Sequence, residues 1–324
     1  MQEMIRMKAK ELLSSGKANR VFGWTEGEFF YDLTPRVFTS EEEIDSSFVY
    51  SVFCGQNFSK ALVGEAKKDG VIAVFFKPCD AYSFQQLLNE HRVAREKVYA
   101  VGIPCSGMAD IDKIRSLGAK APLSAKEEGD SLLIETLYGE KKMKKEEVLA
   151  ERCLVCKSKK HPVFDELLGE EGEEIPSERF REVEKLEKMT SEERYAFWQN
   201  ELSRCIRCNA CRNACPACTC EKCVFDNPQS GVEQKAAATS FEEQLFHIIR
   251  AFHVAGRCTD CGECSRVCPQ KIPLHLLNRK FIKDINTLYG PYQAGAEAGS
   301  TPPLTAFTYA DAEPSVVREK GEEK

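Results

Sequence analysis

The sequence has no apolar segment long enough to cross a membrane. The apolar run at residues Val71–Phe76 is far shorter than the roughly 20 residues that a spanning helix needs. The first residues, MQEMIRMKAKELL, are charged and amphipathic, and they have neither the apolar core nor the cleavage site of a secretory leader. We therefore expect a cytoplasmic protein with no membrane span and no scaffold of secreted disulfides.

A strong excess of charge is also missing. Lys and Arg number 45 and Asp and Glu number 51, which leaves a net charge of −6. This mild acidity argues against a nucleic-acid partner. The sequence contains no Ser-His-Asp, His-Glu-x-x-His or P-loop pattern, and we therefore predict no catalytic residue.

Cysteine, in contrast, is abundant. There are 16 cysteines, and eight of them form two copies of the spacing Cys-x2-Cys-x2-Cys-x3-Cys-Pro. In two-cluster ferredoxins with this spacing, the fourth cysteine of each copy binds the other cluster. The sequence therefore predicts two 4Fe-4S clusters with crossed ligand sets, which are Cys205, Cys208, Cys211 and Cys268 for cluster 1 and Cys258, Cys261, Cys264 and Cys215 for cluster 2. Structural zinc is the alternative, but zinc frameworks use paired Cys-x2-Cys units.

The interval between the two copies is long enough for a helix. Leu245, Ile248, Ile249 and Phe252 recur there at helical spacing, and Gly256 follows as a stop signal. The pattern predicts an α-helical dicluster ferredoxin domain over residues 203–288. Such a domain resembles the C-terminal domain of the succinate dehydrogenase iron-sulfur subunit and the small subunit of heterodisulfide reductase. His247 and His253 lie on the predicted helix, where packing or surface roles are favoured over ligation.

The first half of the chain alternates between strand and helix patterns, which predicts an α/β domain over residues 1–168. Two predicted strands each end in a Pro-Cys dipeptide, which places Cys79 and Cys105 just beyond the carboxyl ends of the strands, where open α/β sheets bind ligands. Together with Cys153 and Cys156 they would complete the ligands of a third 4Fe-4S cluster. In the alternative, Cys79 and Cys105 are buried apolar residues and the Cys-x2-Cys pair binds zinc or exchanges thiols.

Other segments are defined by composition. Residues 169–202 are dense in charge and predict a helical linker, and residues 289–324 predict a flexible tail. Three more cysteines, Cys218, Cys220 and Cys223, follow the first ferredoxin motif. They could replace a predicted ligand, or they could join Cys54 or a residue of a partner in a fourth cluster.

Several of these motifs carry a family resemblance that spans about residues 48–285. KPCDAYSFQQLLNEHRVAREKVYAVGIPCSGMAD, CLVC, HPVFDELLGE and CIRCNACRNACPACTCEKC resemble the beta subunits of deazaflavin-reducing hydrogenases and of related formate dehydrogenases. The resemblance implies an iron-sulfur electron-transfer subunit of an anaerobic oxidoreductase complex. Its partners would be a hydrogenase or formate dehydrogenase catalytic subunit and a heterodisulfide reductase-like flavin subunit.

The resemblance also leaves an alternative function open. Many such subunits contain FAD, although this chain has no Gly-x-Gly-x-x-Gly fingerprint and its flavin-binding residues are unknown. In the alternative, this chain is an FAD-containing subunit that itself oxidises or reduces a deazaflavin or nicotinamide coenzyme.

Overall fold

A computed structural model describes residues 1–173, 178–227 and 240–305. The N-terminal half is built on a five-stranded sheet. In sheet order its strands are β2 (Leu33–Phe38), β1 (Arg20–Glu26), β3 (Ile72–Phe76), β4 (Val98–Gly102) and β8 (Glu166–Leu167). Strands β1, β3, β4 and β8 run parallel, and β2 pairs antiparallel with β1 at the edge. All five residues of β3 are buried, as expected of a strand that is covered on both faces.

Helices cover this sheet, and a second sheet follows it along the chain. The helices are α1 (Gln2–Ser14), α2 (Glu41–Ser47), α3 (Ser59–Glu65), α4 (Pro78–Asn89) and α5 (Ile111–Ser116). The second sheet is an antiparallel meander of β5 (Pro122–Glu128), β6 (Ser131–Thr136) and β7 (Gly139–Lys144), which was not predicted from the sequence. Two short helices, α6 (Lys145–Val148) and α7 (Glu151–Leu154), then lead back to the sheet edge.

The remaining helices form the C-terminal half. They are α8 (Arg181–Glu187), α9 (Ser191–Leu202), α10 (Ala210–Asn213), α11 (Ser240–His253), α12 (Glu263–Arg266) and α13 (Leu274–Tyr289). An α/β first half followed by a helical second half was expected, and this coarse organisation is confirmed. Among the described residues, no helix is both long and apolar enough to cross a bilayer.

The core of the helical half is small and contains cysteine. One cluster of buried residues consists of Leu202, Cys211, Cys264, Cys268, Ile272 and Leu274. Half of its members are cysteines of the two ferredoxin motifs. Because so little ordinary apolar core is present, ligation at these thiols would supply a large part of the folding free energy of this half.

The segment after α13 turns back onto the N-terminal half. Asn89, at the end of α4, donates a hydrogen bond to the carbonyl of Glu297 (2.9 Å) and accepts one from the amide of Gly299 (3.0 Å). A side chain at Gly295 would collide with the carbonyl of Tyr82, so this close approach requires glycine. The predicted flexible tail therefore begins with a packed stretch, and its residues 306–324 lie outside the described residues.

Candidate metal centres

The eight cysteines of the ferredoxin motifs line two separate cavities. The first cavity, with an empty volume of about 340 Å³, is lined by Cys205, Cys208, Cys211 and Cys268. The second cavity, of about 280 Å³, is lined by Cys215, Cys258, Cys261 and Cys264. In each cavity the fourth cysteine comes from the opposite motif. The structure thus brings together the two crossed sets that the spacing predicts.

Both motifs build their cavity with the same backbone conformation. The residues on either side of the second cysteine are left-handed: Arg207 (φ 54°) and Asn209 (φ 61°) flank Cys208, and Asp260 (φ 56°) and Gly262 (φ 71°) flank Cys261. A short helix then carries the third cysteine of each motif. Left-handed non-glycine residues are uncommon and concentrate at functional sites. Their repetition here indicates that the turn geometry serves the thiols.

A buried histidine touches the first set of thiols. The Nε2 atom of His247 lies 3.2 Å from Cys205 Sγ, and only 1 % of the residue is exposed. Burial, aided by the charges of Arg250 and Arg207, lowers the pKa of His247 to about 3. The imidazole is therefore neutral, and the tautomer protonated at Nε2 can donate a hydrogen bond to the sulfur. The sequence had favoured packing for His247, and its contact with a predicted ligand was missed.

The four cysteines of the predicted third set also meet. Cys79, Cys105, Cys153 and Cys156 line the third cavity, of about 480 Å³, at the carboxyl ends of β3 and β4. Cys79 lies in the first turn of α4, Cys105 follows β4, and Cys153 lies on α7. Burial raises the pKa of Cys105 to about 11, so in the absence of metal this thiol holds its proton. Ligation would release that proton.

A buried lysine stands beside this third set. Lys77 lines the third cavity with 1 % of its surface exposed, forms an ion pair with Asp80 (2.7 Å) and donates to the carbonyl of Gln56 (2.9 Å). Burial disfavours its ammonium, but the charges of Asp80 and Cys79 outweigh it and raise the pKa of Lys77. The Asp80 carboxylate also accepts from the Lys77 amide at the start of α4. Asp80 therefore caps the start of α4.

Arg152 joins the third set to the ferredoxin motifs. It precedes Cys153 in sequence, pairs with Glu263 (2.6 Å), and donates to the carbonyls of Cys261 (2.9 Å) and Gly55. Cys261 itself lines both the second and the third cavity. The two cavities are therefore neighbours, and one arginine holds their walls together.

Cys54 lies apart from the other cysteines that the sequence singled out. It is fully buried in the core of the α/β half, where its sulfur accepts from the Ser51 amide (3.3 Å), and burial raises its pKa to about 12. Asp165 likewise has a structural role, because its carboxylate accepts from the Ala100 amide (2.7 Å) and pairs with Arg95. Cys218, Cys220 and Cys223 line a fourth cavity, which His253 also lines.

One larger cavity lies between the two halves. It has an empty volume of about 1280 Å³, and Tyr31, Phe53, Arg152, Arg266 and His275 are among its lining residues. Aromatic and cationic side chains thus meet beside the second and third cavities. No sequence motif pointed to this space.

Comparisons with known proteins identify a dicluster domain in the same part of the chain. The family model for a 4Fe-4S dicluster domain matches residues 201–272. The F420-dependent formate dehydrogenase subunit beta of Methanocaldococcus jannaschii is 28 % identical over 355 aligned residues, which cover 91 % of this chain and 92 % of that protein. The F420-dependent formate dehydrogenase 1 subunit beta of Methanococcus maripaludis is 24 % identical and covers 91 % of each chain.

A solved structure is also similar in part. A chain of the F420-reducing NiFe hydrogenase complex from Methanosarcina barkeri aligns with a TM-score of 0.37 and 14 % identity, over 48 % of this chain and 58 % of that one. The sequence relatives and the dicluster match confirm the resemblance drawn from the cysteine motifs. The chain is thus similar, along nine-tenths of its length, to the beta subunits of F420-dependent formate dehydrogenases, and its residues 201–272 match the model of a 4Fe-4S dicluster domain.

Proposed function

We propose that this chain is the iron-sulfur electron-transfer subunit of a cytoplasmic complex of the formate dehydrogenase or hydrogenase type. It relays electrons between a catalytic subunit and a heterodisulfide reductase-like flavin subunit. The observation that carries the proposal is the grouping of twelve cysteines around three cavities, two of which share Cys261. Three 4Fe-4S clusters fit these cavities because each is lined by at least four thiols, and four are the usual ligand set of such clusters.

Clusters in these cavities would supply one-electron steps, and the chain's own residues set the conditions for them. The second and third cavities adjoin, so an electron has a short path from the α/β half to the dicluster half. Lys77 and Arg152 line the third cavity, and their positive charges favour the reduced state of an anionic cluster. The side chains that bury the thiols also exclude water from the metal.

Spectroscopy and kinetics on the anaerobically purified full chain test this proposal. A low-potential reductant should bleach the cluster absorbance, while formate, hydrogen or a reduced coenzyme should produce no turnover by the chain alone. Turnover should appear when the catalytic and flavin subunits are added. Coenzyme-dependent turnover by the isolated chain would overturn the relay.

The large cavity between the halves favours a second candidate function. Tyr31 and Phe53 offer aromatic surfaces beside the second and third cavities, and the space could receive a flavin ring. In that case the chain would exchange electrons with a deazaflavin or nicotinamide coenzyme itself. Stoichiometric FAD in the purified chain, together with its direct reduction by either coenzyme, would establish this candidate in place of the relay.

A further inference from the structure

We propose that Cys218, Cys220 and Cys223 hold a fourth 4Fe-4S cluster, with His253 as the ligand of its remaining iron. The relay described above needs only the first three cavities, so this site is an addition to it. Each cysteine would lose its proton as it binds iron.

The first observation is the grouping of the three thiols. The Cys-x-Cys-x2-Cys segment follows the first ferredoxin motif, and its three cysteines line the fourth cavity together with His253 from the end of α11. Cys215, only three residues before Cys218, lines the second cavity instead. The chain therefore divides neighbouring cysteines between two cavities. Cys218 lines the fourth cavity, and its thiol also contacts that of Cys215.

The second observation is a buried arginine surrounded by thiols. Arg250 lines the fourth cavity and is 3 % exposed, and the thiols that act on its guanidinium charge are those of Cys264, Cys211, Cys215 and Cys218. A buried charge is costly unless it is paired. An anion in this cavity would remove that cost. A cluster bound by three thiolates is such an anion.

The remaining charges that line the fourth cavity also favour a bound anion. Four Lys or Arg side chains line it against two carboxylates, and these residues are Lys60, Arg212, Arg250, Arg257, Glu221 and Asp226. Arg212 pairs with Asp226 (2.6 Å), and Arg257 pairs with Glu90 (2.8 Å), the residue that follows α4. Lys60 of α3 donates to the carbonyl of Cys218, which ties the cysteine segment to the N-terminal half. The cavity is thus fixed in place and retains positive charge.

Three thiols and one imidazole are also a ligand set of structural zinc. The content of iron, sulfide and zinc therefore distinguishes the proposed cluster from a zinc ion. The neighbouring second cavity would also give a cluster here an electron partner, so that the second cluster becomes a branch point.

Metal analysis of the anaerobically purified full chain provides the test. Wild type should contain about 16 iron atoms per chain, and the triple variant Cys218→Ser, Cys220→Ser, Cys223→Ser about 12, with sulfide falling in step. Cys54→Ser is the matched control, because it removes a thiol from the core and should leave the iron content unchanged. Equal iron in wild type and triple variant would overturn the proposal, as would the loss of one zinc ion in place of iron.

Single variants keep the test decisive if the triple variant fails to fold. Cys220 is exposed, so Cys220→Ser should keep the fold while converting one cluster to a three-iron form, seen as a new EPR signal of the oxidised protein. His253→Gln should alter the EPR signal of the same cluster and leave the other three unchanged. Unaltered spectra of both variants would refute the ligand set. Because the first three cavities do not include these residues, failure here leaves the relay standing.

Discussion

Replacing Arg152 with methionine should destabilise the protein at the contact between its two halves. The Arg152 side chain is 11 % exposed and that of its partner Glu263 only 2 %, and Arg152 also donates to two backbone carbonyls. Breaking a buried ion pair by removing one partner costs about 3–5 kcal/mol. Glu263 keeps a second partner, Arg266 (2.7 Å), so the loss should lie near 3 kcal/mol. A loss of about 3 kcal/mol lowers the melting temperature of a domain of this size by about 6 °C or more.

The assay is an anaerobic thermal melt at one fixed scan rate, because cluster loss makes unfolding irreversible. Unfolding is followed by circular dichroism and cluster release by visible absorbance. The matched control is Arg181→Met, which removes an arginine from an ion pair with Glu178 on the surface and should not change the melt. Equal melting of Arg152→Met and wild type, or an equal drop in the control, would refute the argument.

Two further predictions concern the clusters themselves. Cys215→Ala should abolish the EPR signal of the cluster at Cys258, Cys261 and Cys264, because Cys215 lines the cavity of that opposite motif. Cys205→Ala should instead abolish the signal of the cluster in the first cavity. If both variants remove the same signal, the crossed assignment is wrong. Arg250→Met should lower the midpoint potentials of the neighbouring clusters by about 100 mV in a redox titration, since a charge interaction of about 2 kcal/mol with a one-electron centre is lost. Arg181→Met again serves as the control, and unchanged potentials in Arg250→Met would show that its charge does not act on the clusters.

The cysteine sets could be predicted from the sequence because short local motifs encode them. Cys-x2-Cys-x2-Cys-x3-Cys-Pro fixes which thiols share a turn, and the Pro-Cys dipeptides after two apolar runs fix Cys79 and Cys105 at one sheet edge. The structure groups the cysteines in the same sets. Their role as ligands remains a prediction.

The buried charged residues of the site could not be predicted from the sequence, for a physical reason. The apolar spacing on α11 emphasised Ile248 and Phe252, yet these are 41 % and 60 % exposed, while Phe246, His247 and Arg250 are buried. Apolar periodicity alone cannot identify a helix face that is buried against thiols and carries an arginine. Arg152 was missed for a similar reason, since its partner Glu263 lies more than one hundred residues away in sequence.

The second sheet left little trace in the sequence because only its middle strand is buried on one face. Leu132 and Ile134 of β6 are buried, but most residues of β5 and β7 are exposed and charged or small. Alternation of polar and apolar residues is therefore absent from two of the three strands. Charged side chains on edge strands such as these oppose pairing with other chains.

The contacts of α4 restrict how far the two halves of the chain can move apart, which bears on the proposed electron relay. The Ser83 hydroxyl of α4 forms a buried hydrogen bond (2.8 Å) with the Thr259 hydroxyl of the second ferredoxin motif. At the end of α4, Glu90 pairs with Arg257, and Asn89 donates a hydrogen bond to the C-terminal segment. The helix that carries Cys79 in its first turn thus contacts both halves. Swinging one half away from the other would break all of these contacts together. If the chain relays electrons as proposed, these contacts oppose any motion that would separate the centres of one half from those of the other.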